Sequence, residues 1–276
     1  MWPLIVGFAL LILGGCQAAH SPVPIALEPS TLVLPTDPRL LTTHDAAVRG
    51  IAAMLVREFQ LPVPDQVTVY VYGTRRGFEE GLINDAHLAP VRAAELSEFA
   101  VGVGRPRQLL FREDVPERGR ERLRLVAHEL THVCQIELAG GERGPAQWVK
   151  EGMAEWVAFS VLERLRIDSL GRRRQIARAG VRNSTALAAA RLDLEALESP
   201  SGFIARHRRD GTVPTYQLAF LMVDYLIGRD GLPAVVAYFR TFADSRDRGR
   251  SFRSAFGQTV ASFEQEFLAY LASHPE

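Results

Sequence analysis

"RLRLVAHELTHVCQ", residues 122–135, sets two histidines four positions apart with a glutamate directly after the first. Leu123, Val126, Leu130 and Val133 fall on one stripe, so the spacing predicts a helix over about residues 118–138. On that helix His128 and His132 stand one turn apart on the same side, ~5–6 Å between Cβ atoms, and both imidazoles can meet one cation. Glu129 is rotated about 100° from His128, close enough to hold a water at that cation without being a ligand. An H-E-x-x-H string arises by chance in on the order of one chain in a hundred of this make-up, so a third ligand has to decide the matter.

The candidate lies in "WVKEGMAEW", residues 148–156. Glu151 and Glu155 are spaced i and i+4 on a second predicted helix over about 146–166, while Val149, Met153 and Trp156 serve its packing side. Two carboxylates at that spacing repel mildly, and the segment behind them, "WVAFSVL", is apolar rather than solvated. A cation bound between the helices accounts for the pair; a solvated acidic face is the alternative. Two histidines and one carboxylate favour Zn²⁺, which polarises a carbonyl and brings the pKa of a bound water down to about 7.

With eighteen residues between His132 and Glu151, "HELTH" followed by "WVKEGMAEW" resembles the gluzincin metallopeptidases, and is most similar to their peptidase MA-like group. The resemblance implies zinc ligands His128, His132 and Glu151, and a catalytic base and proton shuttle at Glu129. It places at Glu155 the acidic residue that orients a zinc histidine. It also implies a donor to the oxyanion from a later helix, for which Tyr216 is the first choice. A structural tyrosine is the competing reading there; Tyr225 reads as packing, and His207 sits in basic "ARHRRDG", which reads as a loop. Gluzincins lay an extended substrate along an edge strand, and "EFAVGVG" (98–104), whose glycines permit close backbone approach, is the candidate edge. The G-x-M-x-N motif of gluzincin aminopeptidases is missing from it, so the resemblance points to an endopeptidase and not to an exopeptidase.

The remainder of the chain fits one main domain. Its 276 residues suffice for a well-buried core, and 47% hydrophobic with 23% charged residues is an ordinary globular balance. Lys+Arg and Asp+Glu both number 32, so no bulk field draws the chain to nucleic acid. "THDAAVRGIAAMLVREFQ" (43–60) has the periodicity of a helix stopped by Pro62 and Pro64, "QVTVYVYG" (66–73) reads as a strand, and "EFAVGVG" with "RQLLFRED" (107–114) as a hairpin turning at Gly104 to Pro106. Further helices are expected at 214–227, 233–243 and 260–272, with 170–212 less defined. The fold class is therefore α+β: a small N-terminal mixed sheet with helices, then a mostly helical C-terminal half.

The N-terminus reads separately. "LIVGFALLIL" (4–13) is too short to span a bilayer comfortably and sits where a signal peptide would. "LGGC" follows and resembles the lipobox of bacterial lipoproteins, although no Lys or Arg precedes the apolar run. The resemblance implies a lipid-modified Cys16, export, and attachment to the cell envelope; Gln17 in place of aspartate implies the outer membrane, facing the periplasm. An uncleaved short anchor and an ordinary cleaved signal are the alternatives. The expected organisation is residues 1–16 as signal, 17–42 as a proline-rich tether and 43–276 as the catalytic domain. Cys134, the second of two cysteines, then has no partner for an intramolecular disulfide.

The leading functional expectation is an envelope-tethered zinc endopeptidase acting on peptide or protein substrates. A reading from another class keeps the fold and makes the chain a binding or assembly module at the envelope; an accidental motif without metal is the third.

Overall fold

The computed structural model describes residues 22–114, 119–182 and 192–274. Its sheet holds β1 (Val23–Ala26), β2 (Gln66–Tyr72), β3 (Gly102–Arg105) and β4 (Gln108–Arg112), in the order β1-β2-β4-β3. β1 and β3 are antiparallel to their neighbours, while β2 and β4 run parallel. A parallel pair needs a crossover, and the chain between them supplies α2 (Arg75–Asn84) and α3 (Pro90–Ser97). α1 (His44–Arg57), capped by the Thr43 hydroxyl accepting from the Ala46 N–H, and α4 (Arg120–Ala139) cover the other face.

Strand alternation sorts the two faces. Val67, Val69, Leu109 and Phe111 join the main core with α1 and α4. Leu110 turns the other way onto Phe78 and Leu82 of α2. β3 is an edge strand lying against α4, and Gly102 and Gly104 make that approach feasible. A Cβ at Gly104 would sit 2.3 Å from the Glu129 carbonyl oxygen, and one at Gly102 would sit 2.9 Å from Glu129 Cγ.

From α4 onward the fold is helical: α5 (Gln147–Arg164), α6 (Leu170–Arg182), α7 (Leu194–Leu197), α8 (Pro200–Asp210), α9 (Thr212–Asp230), α10 (Leu232–Arg240), α11 (Arg248–Phe256) and α12 (Val260–Ser273). Gly140, at φ 62°, closes α4 in the left-handed conformation that ends many helices. α5 packs between α4 and α9, and its contact with α9 is backbone-close at Gly152, where a Cβ would lie 2.2 Å from the Ala219 carbonyl oxygen. α6 is tied across to both by Asp224 of α9, which accepts from Arg174 and from the indole N–H of Trp156.

The α+β expectation is met, and three local expectations are corrected. The proline-rich stretch is not merely a tether: residues 23–26 pair with β2, and Ile25, Leu27, Leu32 and Leu41 are buried. Proline is tolerated there because β1 is an edge strand, with one side free of ladder hydrogen bonds. "ARHRRDG" is not a loop but most of α8, stabilised by a buried ion pair between Arg206 and Asp210 one turn apart. β3 begins only at Gly102 and continues through Arg105, so the hairpin turns at Pro106 and at Arg107, which has φ 56°. None of the described helices is long and apolar enough to cross a membrane. Cys16 and the apolar run before it lie outside the described residues; Cys134 is buried, and burial pushes its thiol pKa up.

Candidate metal centre

α4 and α5 bring His128, His132 and Glu151 together, each offering one ligand atom within 4.8 Å of the others. The two Nε2 atoms are 3.1 Å apart, and Glu151 Oε2 lies 3.3 Å from the first and 3.5 Å from the second. A tetrahedral site with bonds of ~2.0–2.1 Å separates its donors by about 3.3–3.4 Å, so the three atoms already stand at the vertices such an ion requires. Glu151 and His128 are each 6% exposed, which excludes a merely solvated acidic face.

The atoms of these residues that face away from that point are held by neighbours. His132 Nδ1 is 2.9 Å from Gln135 Oε1, and the Gln135 amide nitrogen donates to the Lys150 carbonyl at 2.9 Å. That second bond fixes which end of the Gln135 amide faces the histidine, placing the proton on Nδ1 and leaving the Nε2 lone pair for a cation. His128 Nδ1 approaches Glu155 Oε1 at 3.2 Å, an ion-pair contact with too poor an angle for a full hydrogen bond. Glu155 in turn accepts from Arg124 Nη1 at 2.7 Å, and Gln147 Nε2 donates to Glu151 Oε1 at 2.6 Å. Glu155 thus lies between His128 and Arg124. Arg124, Gln135 and Gln147 are additions, each one turn from a ligand: four before His128, three after His132 and four before Glu151.

The charges agree with this wiring. Burial works against ionisation of His128, yet Glu151 and Glu155 outweigh it and raise its pKa to about 10. Burial likewise opposes the Glu155 carboxylate, but Arg124 and His128 hold its pKa at about 2; the imidazoles keep Glu151 well below the usual carboxylate range. In the metal-free protein, a proton on His128 therefore occupies the place of the cation. Loading a divalent ion at pH 7.5 is expected to release about one proton, and affinity should rise with pH up to about 10. Calorimetric titration in buffers of different ionisation enthalpy measures that release. Because the folded pKa exceeds the unfolded value of ~6.5, the His128 contribution to apoprotein stability is full below about pH 6.5 and is lost as pH rises through 10.

Glu129 points into the same space, and its Oε2 accepts from the Gly104 N–H of β3 at 2.7 Å. By antiparallel alternation the N–H of Gly102 also faces away from β4. Tyr216, near the start of α9, is half-buried with its ring centroid 6.2 Å from that of His128. Burial, reinforced by Glu151 and Glu129, raises its pKa, so it stays a neutral hydroxyl donor. His207 is buried, lies tilted against Phe99 at 4.4 Å between centroids and does not line the cleft. Tyr225 packs among Phe263, Phe267 and Tyr270, as expected.

A cleft crosses the site in two arms, of about 290 and 320 Å³. They meet over His128, Glu129 and Tyr216, with Phe99, Ala100 and Gly102 as the shared wall. No protein-family profile, curated protein or solved structure matches this chain. The structure and its motifs therefore carry the functional argument alone.

Proposed function

We propose that this chain is a zinc-dependent endopeptidase of the gluzincin kind, exported and held at the bacterial envelope by lipid on Cys16. The observation that carries the reading is the convergence of three donor atoms at tetrahedral spacing, with a further carboxylate beside them, at the middle of a two-armed cleft. His128, His132 and Glu151 would hold Zn²⁺, which when bound would polarise a peptide carbonyl and acidify a water.

The chain's own groups do the rest. Glu129, steadied by the Gly104 N–H, accepts a proton from the attacking water and delivers it to the leaving amine as the C–N bond breaks. Tyr216 donates to the developing oxyanion. The outward N–H of Gly102 on edge strand β3 lets an extended substrate pair across the cleft, and an arm on either side of the metal group accommodates chain in both directions.

Metal content by mass spectrometry on the protein from Ser21 onward tests the ligand set. About one zinc per chain is expected, and Glu151→Ala should bind zinc more than tenfold more weakly and retain far less than one per chain after dialysis against metal-free buffer, because removing one of three protein ligands exceeds the 10–100-fold affinity penalty of losing an outer partner. Folded protein without stoichiometric metal overturns the proposal.

A further inference from the structure

The arm of the cleft on the His132 side continues into a lobe of about 790 Å³, with Glu142, Pro145, Gln147, Lys150 and Pro200 shared between the two spaces. The lobe's charged lining is Glu142, Arg143, Lys150, Glu198, Arg246 and Arg248. Both acidic members are engaged: Glu142 with Arg105, and Glu198 with Arg248 at 3.7 Å. Arg248 also donates to the Gly144 carbonyl at 2.6 Å. Lys150, Arg143 and Arg246 have no ion pair among the described residues. Lys150 is the telling one. It is half-buried and stands one residue from the candidate ligand Glu151, and the two carboxylates whose charge acts on it, Glu151 and Glu142, are committed to the cation site and to Arg105.

A partly desolvated ammonium without a counter-ion is costly, and a lone one in a binding cleft is most readily accounted for by a ligand that brings the negative charge. The opposite arm makes the contrast. Its Arg120, Arg124 and Arg173 are matched by Glu121, Asp168 and Glu155.

From this asymmetry we infer that the His132-side arm is a subsite for an acidic group of the substrate, with Lys150 as its specificity-determining residue and Arg143 and Arg246 forming a cationic rim. The class of substrate is a peptide carrying aspartate or glutamate a short distance along the chain from the bond that is cut. This inference rests on the peptidase reading for the cut, but the subsite itself is a matter of binding.

The experiment uses zinc-loaded protein and paired peptides differing only by Glu or Gln at one position, scanned across the cleavage site. At one position, the Glu peptide is expected to have a kcat/KM about tenfold higher, the worth of a charge-assisted hydrogen bond. In Lys150→Gln that ratio should fall to about one, Lys150→Arg should restore it, and Lys150→Glu should invert it toward a Lys-containing peptide. The exposed double variant Arg143→Gln/Arg246→Gln should lower the ratio in part, more at low ionic strength than at high. The same peptide pairs, including versions with an amidated C-terminus, are titrated by fluorescence anisotropy against zinc-loaded Glu129→Gln, in which binding is read without turnover. Selective binding of the internal-Glu peptide that vanishes with Lys150→Gln supports the subsite even where no peptide is cut, an outcome that sinks the peptidase reading alone. Equal handling of Glu and Gln at every position, selectivity that survives Lys150→Gln, or selectivity lost on amidation and hence due to the terminal carboxylate overturns the inference.

Discussion

Glu129→Gln is expected to lower kcat about a thousandfold while zinc stays bound at one per chain. The change removes a proton acceptor but preserves shape: the Gln oxygen can still accept from the Gly104 N–H, and none of the three ligand residues is altered. General base catalysis contributes ~10²–10⁴-fold, which sets the size of the loss. Activity against a cleaved peptide and metal content are measured on the same preparation. Retained activity would remove Glu129 from the chemistry, and joint loss of metal and activity would make it a structural support of the site instead.

Gly152→Ala carries the second large expectation. Adding one methyl group places it 2.2 Å from the Ala219 carbonyl oxygen, a backbone atom on a helix fixed from both sides, so α5 and α9 must separate. Overpacking of this kind costs about 3 kcal/mol, equivalent to a fall in Tm of roughly 6–12 °C. The control is the same substitution at Gly228, also inside a helix, where a Cβ meets nothing within 4 Å. There alanine should raise stability by about 0.5–1 kcal/mol, since it restricts the unfolded chain and favours the helix. Thermal unfolding of both variants decides the point, and equal Tm values would show that the α5–α9 contact yields easily. Metal affinity should fall with stability in Gly152→Ala only, because Glu151 is the neighbouring residue and Tyr216 lies one turn before Ala219.

The contrast between these two glycines also shows where sequence reading stops. Both lie in helical patterns, and nothing in the order of residues says which one meets another backbone. What was legible was whatever is local along the chain. His128, His132, Glu151 and Glu155 could be placed on one another's faces because each pair is one turn apart and the stripes behind them are apolar. α1, α4, α5, α9, α10 and α12 share that apolar periodicity. α8 does not, because its burial is hidden by charge: Arg206 lies inside the fold with Asp210, and a string of arginines reads as solvent-facing until a partner is known. Arg124, Gln135 and Gln147 give no signal in the sequence for a related reason, since a polar side chain on a helix is ordinarily solvated and only the opposing helix reveals what it holds. β1 depends on pairing with β2, some forty residues further along, and Pro24, with Pro22 just before the strand, argues locally for an unpaired chain.

If lipid on Cys16 tethers the chain as proposed, that first strand sets how far the folded body could stand from the membrane. With lipid on Cys16 as proposed, the leash to the folded body runs only from Cys16 to Val23, where β1 is already stitched into the sheet. At ~3.6 Å per residue, even a taut leash of that length reaches no more than about 25 Å. Had the whole proline-rich stretch been free, the reach would have been several times greater. A body so closely moored would sweep only a thin layer next to the bilayer, and the proposed peptidase would then act on proteins that bring an extended segment close to the lipid surface.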